Sequence, residues 1–257
     1  MAEQEQERPL ILLCNDDGVF APGIRNLYDV ASEFGNVIIV APDRQQSAVG
    51  HAITIQTPLR VNEIKVTQEI TAYAVNGTPA DCVKLAHDKI LTRKPDLILS
   101  GINHGSNAGI NIIYSGTVSA ATEGTILGYP SIAASCTSFE EDADMGGVQE
   151  ALRKIIPYVL EKGLPEFVTL NLNAPPGPLK GIKWTRQAHS RYIEEYDDRL
   201  DPFNRPYYWM AGTLEVYDEA EDVDVNAIKK GFASITPIHY DLTAFKTLEK
   251  MTKELNF

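Results

Sequence analysis

The segment of this 257-residue chain richest in potential chemistry is Asn15-Asp16-Asp17-Gly18, directly after the apolar run Leu10-Ile11-Leu12-Leu13-Cys14. Two adjacent carboxylates at the end of a buried strand repel one another where water is scarce, and a divalent cation reverses that repulsion. Carboxylate oxygens suit hard ions such as Mg²⁺, Mn²⁺ or Ca²⁺ rather than a soft metal. Asn, Asp and Gly are also the residues of caps and tight turns, so the segment alone leaves a metal centre and a plain turn both open. Two carboxylates do not fill an octahedron, and any metal needs further oxygen donors from elsewhere in the chain.

Three other polar segments offer such donors. Ala41–His51 brings together Arg44, Ser47 and His51, although a surface loop with a local Asp43–Arg44 pair and a structural histidine is the plainer reading. Ser100-Gly101-Ile102-Asn103-His104-Gly105-Ser106-Asn107-Ala108-Gly109 has glycines that let backbone amides approach a ligand and asparagine carbonyls that can ligate a hard ion. Ser115-Gly116-Thr117 opens a helix of small residues, where N–H groups and hydroxyls suit a phosphate, or where Ser115 or Thr117 simply caps. Glu123, two turns further on, lines or supports the same place.

Several chemistries are excluded. No GxGxxG dinucleotide fingerprint and no GxxxxGK[ST] phosphate loop is present. No serine sits in a GxSxG elbow, and the two aspartates are adjacent where a phosphoaspartyl phosphatase separates them by one residue. Cys14, Cys82 and Cys136 are far apart and form no CxxC pair, which argues against zinc ribbons and disulfide scaffolds.

The elements that must position these segments alternate between strand and helix. Leu10–Cys14, Val37–Val40, Leu97–Leu99, Ser131–Ala134 and Phe167–Leu170 read as buried strands. Ile24, Leu27, Tyr28 and Ala31 mark one face of a helix that ends at Gly35, and Thr78-Pro79-Ala80-Asp81 opens another with Thr as cap and Pro in the first turn. Ile53–Val75 reads as extra strands or a hairpin, and Val148–Leu160 as a helix containing an awkward Pro157. Such alternation, with connections too long for hairpins, predicts an α/β fold: a mostly parallel sheet with helices on both faces. Ligands collect at the carboxyl ends of such strands, which places Asp16, Asp17, Ser47 and Asn103 on one rim.

Beyond Pro175-Pro176-Gly177-Pro178 the texture changes. Strand-like pieces at Lys183–Thr185, Tyr207–Met210 and Phe232–Thr236 surround an acidic stretch, Glu215–Asp224. The division expected is a core over 8–178 and a C-terminal region over 179–257, whose hairpins around Tyr196–Tyr217 serve self-association. With 35 acidic against 23 basic residues the net charge is −12, which repels nucleic-acid polymers and anionic membranes. Met1–Pro9 is acidic and polar, Leu10–Leu13 is too short for a signal segment, and no run of about 20 apolar residues occurs, so a cytoplasmic location is expected.

Taken together, the polar motifs resemble the stationary-phase survival protein SurE family of metal-dependent nucleotidases. The resemblance is carried by Asn15-Asp16-Asp17-Gly18, Ala41-Pro42-Asp43-Arg44-Gln45-Gln46-Ser47-Ala48, Asn76-Gly77-Thr78-Pro79-Ala80-Asp81-Cys82-Val83, Ser100–Gly105 and Tyr114–Gly124, in that order, with an echo in Ser234-Ile235-Thr236-Pro237. Trp184-Thr185-Arg186-Gln187-Ala188 departs from the pattern, since the family usually carries a glycine soon after the arginine. The resemblance implies a Rossmann-like core, one divalent ion per site, and dimers or tetramers built through the C-terminal region. It maps metal ligands onto Asp16, Asp17, Ser47 and Asn103, and phosphate contacts onto Ser115, Gly116 and Thr117, with Asn107 nearby. The implied activity is hydrolysis of nucleoside 5′- and 3′-monophosphates, with Asp16, Asp17 and Asn103 at the reacting centre. The rival readings are a silent metal-and-nucleotide sensor and a broad phosphatase with a non-nucleotide substrate.

Overall fold

The computed structural model of the chain describes residues 8–255, so most of the acidic stretch Met1–Pro9 lies outside the described residues. In chain order, strands β1 (Leu10–Cys14) and β2 (Asn36–Pro42) are joined by helix α1 (Pro22–Phe34), and β3 (Val61–Lys65) and β4 (Thr71–Val75) follow. Then come α2 (Pro79–Leu85), β5 (Leu97–His104), α3 (Asn111–Tyr114), α4 (Gly116–Ile126), β6 (Ser131–Cys136), α5 (Gly146–Lys162) and β7 (Val168–Ala174). The remainder is β8 (Ile182–Trp184), β9 (Ser190–Ile193), β10 (Tyr196–Leu200), β11 (Pro206–Met210), β12 (Thr213–Val216), α6 (Asp224–Lys229), β13 (Ala233–His239) and α7 (Phe245–Leu255).

Nine strands form one sheet in the order β3-β4-β2-β1-β5-β6-β7-β13-β8. The six from β4 to β7 are mutually parallel; β3 and β13 run antiparallel to their neighbours β4 and β7. Strand β1 lies at the centre with all five residues buried, which is why its sequence is apolar at every position. Its side chains alternate between two cores. Ile11 and Leu13 pack with Ile24 and Leu27 of α1 and Leu152 of α5, whereas Leu12 and Cys14 pack with Cys82 and Val83 of α2 and Ala120 of α4. Helices thus cover both faces, as the alternating pattern requires.

Two local departures from expectation have physical causes. Pro157 sits inside α5, but on its exposed face, so the backbone bond it forfeits is at a carbonyl open to water. Strand β7 does not stop at Leu170 but runs to Ala174, because Asn171 and Asn173, polar in sequence, are fully buried and bonded. The segment Ile53–Val75 does contain a hairpin, β3–β4. Residues after 179 contribute β8 and β13 to the main sheet and two antiparallel ribbons, β10–β11 and β12–β9, beside it. All three cysteines are free and buried. Among the described residues no helix is long and apolar enough to cross a membrane.

Candidate metal and phosphate site

Strands β1 and β5 are neighbours, yet the chain leaves β1 toward β2 on one side and continues from β5 toward β6 on the other. Outside their carboxyl ends lies the crevice that such a reversal of strand order creates. Asn15-Asp16-Asp17-Gly18 turns within it. The buried Asn15 closes the turn by donating from Nδ2 to the Gly18 carbonyl at 2.9 Å. Two neighbouring turns are tied to this one: the Gln46 N–H donates to the Asp16 carbonyl at 2.7 Å, and the His104 N–H donates to Asp17 Oδ2 at 3.2 Å. Ser47 and Asn103, each next to one of these donors, are thereby brought to the same rim as the aspartates. Ser47 is exposed and Asn103 is buried.

The two carboxylates live in different environments. Asp16 is 5% exposed, and burial pushes its carboxyl up to about 6, with the negative charge of Asp17 adding to the rise and the Thr117 hydroxyl opposing it. Thr117 donates that hydroxyl to Asp16 Oδ1. Asp17 receives Gln45 Nε2 at 3.4 Å, and His104 Nδ1 lies 3.6 Å from its Oδ2. No lysine or arginine pairs with either aspartate among the described residues.

The donor set fits a hard cation. A buried carboxylate held beside a second one without a cationic side chain is stabilised by a divalent ion more than by anything else at hand. Asn103 donates Nδ2 to the Gly105 carbonyl at 2.8 Å, which turns its Oδ1 to the remaining role of acceptor or ligand. No group of three or more His, Cys, Asp or Glu suited to a metal occurs among the described residues. The neutral oxygens of Ser47 and Asn103 are therefore the side-chain donors at hand to extend the aspartate pair, a composition that suits Mg²⁺, Mn²⁺ or Ca²⁺.

Helix α4 meets this rim at its N-terminus. Ser115 is its N-cap: Oγ accepts the Val118 N–H at 3.0 Å. Gly116 begins the helix against Asp16, and a Cβ there would stand 2.7 Å from Asp16 Cβ and 2.9 Å from its Oδ2. Glycine is required by this approach, a reason the sequence alone does not reveal. The same helix is built of small residues because it lies flat on the sheet; a Cβ on Gly124 would reach within 2.5 Å of Ser131 Oγ. Thr117, expected among the phosphate contacts, is fully buried and its hydroxyl is turned to Asp16. Replacing Thr117 with Val should therefore weaken divalent binding about 10–100-fold, as loss of a ligand's supporting bond does. Calorimetric titration checks this, and unchanged affinity would mean that the bond to Asp16 does not serve a metal.

Hydrogen bonds across the fold hold the surrounding loops. Glu123, on α4, accepts His51 Nε2 at 2.8 Å and Lys84 Nζ at 2.9 Å. Burial raises the Glu123 carboxyl, but these two partners outweigh it and leave the group below its ordinary value. His51 closes the 41–51 loop, so the pair pins the Ser47 segment to α4. Glu123→Gln should lower stability by about 1–2 kcal/mol in denaturant titrations, since both partners are partly solvated. Asp81 stitches the same region by accepting the Thr54 and Thr78 N–H groups at 3.0 and 2.9 Å, and with Thr78 it forms the capping box of α2. On the other side Asp224, fully buried, accepts the N–H groups of Gly109 and Ala188, which fastens the loop after β5 to the C-terminal region. Asn107, 7% exposed, lies on that loop between Asn103 and Ser115.

The sequence profile of the family described as Survival protein SurE matches residues 11–194. The 5′-nucleotidase SurE of Cytophaga hutchinsonii is 48% identical over 97% of this chain and 98% of that protein. A protein of the same name from Flavobacterium psychrophilum is 47% identical over 95% of this chain and 96% of its own length. The crystal structure of the SurE protein from Aquifex aeolicus superposes with a TM-score of 0.82 at 42% identity, covering 95% of this chain and 99% of that one. The similarity extends through the C-terminal region as well as the motif-bearing half, and the chain belongs to the SurE survival-protein family.

Proposed function

We propose that this protein is a divalent-metal-dependent phosphomonoesterase that hydrolyses nucleoside 5′-monophosphates, and 3′-monophosphates beside them, to nucleoside and phosphate. The observation that carries the reading is the Asp16–Asp17 pair at the strand-order reversal, with Asp16 buried and neither carboxylate paired with a lysine or arginine among the described residues, abutting the N-terminus of α4. It is supported by relatives named 5′-nucleotidase over nearly their full length. Asp16, Asp17, Ser47 and Asn103 would hold one Mg²⁺, Mn²⁺ or Ca²⁺, which when bound supplies Lewis acidity toward phosphate and water. The charge question is answered by the same ion, because a protein at −12 otherwise repels a dianion.

The residues of the chain supply the rest. One aspartate carboxylate, Asp16 or Asp17, orients the attacking water or accepts its proton. The Ser115 hydroxyl, the Gly116 N–H and the Asn107 side chain meet the phosphate oxygens, favoured by the positive end of the α4 dipole. Thr117 acts through Asp16 and not on the substrate directly. Water attacks phosphorus in line with the departing nucleoside oxygen. A covalent aspartate would differ in one observable: in ¹⁸O-water under single turnover, direct attack labels the released phosphate in the first cycle.

A phosphate-release panel tests the function. Nucleoside monophosphates should be hydrolysed with each effective divalent ion, and chelator should abolish the release. Saturable nucleotide binding without release under every ion would favour the sensor reading. A higher kcat/KM for simple phosphate esters than for nucleotides would favour the broad phosphatase.

Self-association belongs to the same reading. Tyr207, Tyr208, Trp209 and Met210 on β11 are exposed, as are Phe245, Leu248, Met251 and Leu255 on α7, which buries no residue of its own. Apolar surface on this scale marks an interface, and a homodimer or homotetramer is expected by light scattering. The chemistry requires no membrane or nucleic-acid partner, and a cytoplasmic setting suits three free thiols.

A further inference from the structure

Strand β7 is interior to the sheet, yet alternate positions along it are Thr169, Asn171 and Asn173. Thr169 bonds Thr125 of α4 at 2.6 Å, so this polar row faces the helix that carries the phosphate end of the site. Both asparagines are 0% exposed. Asn171 Nδ2 donates to the Asn107 carbonyl at 2.9 Å, and Asn173 Oδ1 accepts the Asn107 N–H at 2.8 Å. A carbonyl needs a donor and an N–H an acceptor, so the backbone itself fixes which end of each amide points where. Two side chains thus pair with both polar groups of one loop residue, as the main chain of an adjacent strand would. Asn107 Nδ2 in turn donates to Ser135 Oγ on β6 at 2.9 Å.

This arrangement is a poor way to stabilise a sheet. The other ends, Asn171 Oδ1 and Asn173 Nδ2, have no partner among the described residues, and a buried amide left half-bonded costs free energy that leucine at either place would not. The fixed residue, Asn107, lies in the loop between β5, which carries Asn103, and α3, which leads to Ser115. Its Nδ2 carries a second hydrogen beyond the one given to Ser135, a donor of the kind that a phosphate oxygen accepts.

We propose that Asn171 and Asn173 are positioning residues for the phosphate end of the substrate: they clamp the Asn107 peptide so that its side chain and the following loop stay in register with Ser115 and Gly116. This rests on the nucleotidase reading for what binds there, but the clamp itself is a property of the chain.

The two amides use opposite ends, and that makes the test sharp. Asn173→Asp keeps an acceptor for the Asn107 N–H, whereas Asn171→Asp replaces a donor with an oxygen that faces a carbonyl. Relative to the Leu variants, Asp should rescue function at 173 and not at 171. KM for a nucleoside monophosphate and the inhibition constant of inorganic phosphate should rise about tenfold or more in Asn171→Asp, Asn171→Leu and Asn173→Leu. Asn173→Asp should stay within about threefold of wild type by the same reasoning. Divalent affinity measured without phosphate should be unchanged throughout. Ser135→Ala, a smaller change that is expected to fold, should raise KM with kcat nearly constant. Hydrogen exchange at the Asn107 amide gives a readout independent of activity: slow in wild type and Asn173→Asp, fast in Asn173→Leu. Equal behaviour of the two Asp variants, or metal affinity falling in step with KM, overturns the proposal. A wild-type protein that releases no phosphate while the exchange pattern holds would overturn the nucleotidase reading and leave the clamp standing.

Discussion

Replacing Asp17 with Asn is expected to lower divalent-dependent phosphate release by about three orders of magnitude, the scale of losing several kcal/mol of charge stabilisation at the reacting centre. The substitution is nearly isosteric, and an amide oxygen still accepts the His104 N–H that Asp17 Oδ2 receives at 3.2 Å. What disappears is one negative charge beside Asp16. Since that charge helps to hold the Asp16 carboxyl above its ordinary range, the metal-free variant should be at least as stable as wild type. Stability and activity are therefore expected to move in opposite directions. Thermal melting of the metal-free proteins and phosphate release with saturating nucleotide measure the two. Retained turnover at wild-type metal concentrations would remove Asp17 from the metal shell.

The second large effect is expected from a single added methyl. Gly116→Ala would place Cβ 2.7 Å from Asp16 Cβ, well inside van der Waals contact, at a position whose glycine is not demanded by a positive φ. Either Asp16 swings away or the first turn of α4 retreats, and both displace groups assigned to the reaction. A misplacement on the order of 1 Å costs roughly 100-fold in rate, so kcat should fall by about that factor. Metal affinity should fall as well where Asp16 is the group displaced. Loss of turnover with unchanged metal binding would mean that the helix yields and Asp16 stays.

Much of this was legible in the residues themselves. Uninterrupted apolar runs identify buried parallel strands, and polar turns directly after them point to one rim. Thr78 as cap with Asp81 three residues on is a signature that the structure repeats as a full capping box. Hidden from sequence were relations across the fold. Nothing in Ser115-Gly116-Thr117 says that Gly116 is pressed against Asp16 or that the Thr117 hydroxyl turns to that carboxylate. Asn171 and Asn173 look like the polar end of a strand because their partners, the two polar groups of the Asn107 backbone, lie more than 60 residues away. Glu123 was placed at the site by position, but its tie to His51 and Lys84 exists only once α4 and the 41–51 loop have met. Long-range hydrogen bonds leave no local pattern, whereas burial and capping do.

One hard cation should be held by oxygens from three separate segments of the chain. A crystal grown with Mn²⁺ and examined by anomalous scattering tests it directly. One strong peak per chain is expected, about 2.0–2.6 Å from side-chain oxygens of Asp16, Asp17, Ser47 and Asn103. A peak held by other residues, or none at a concentration that supports turnover, would contradict it.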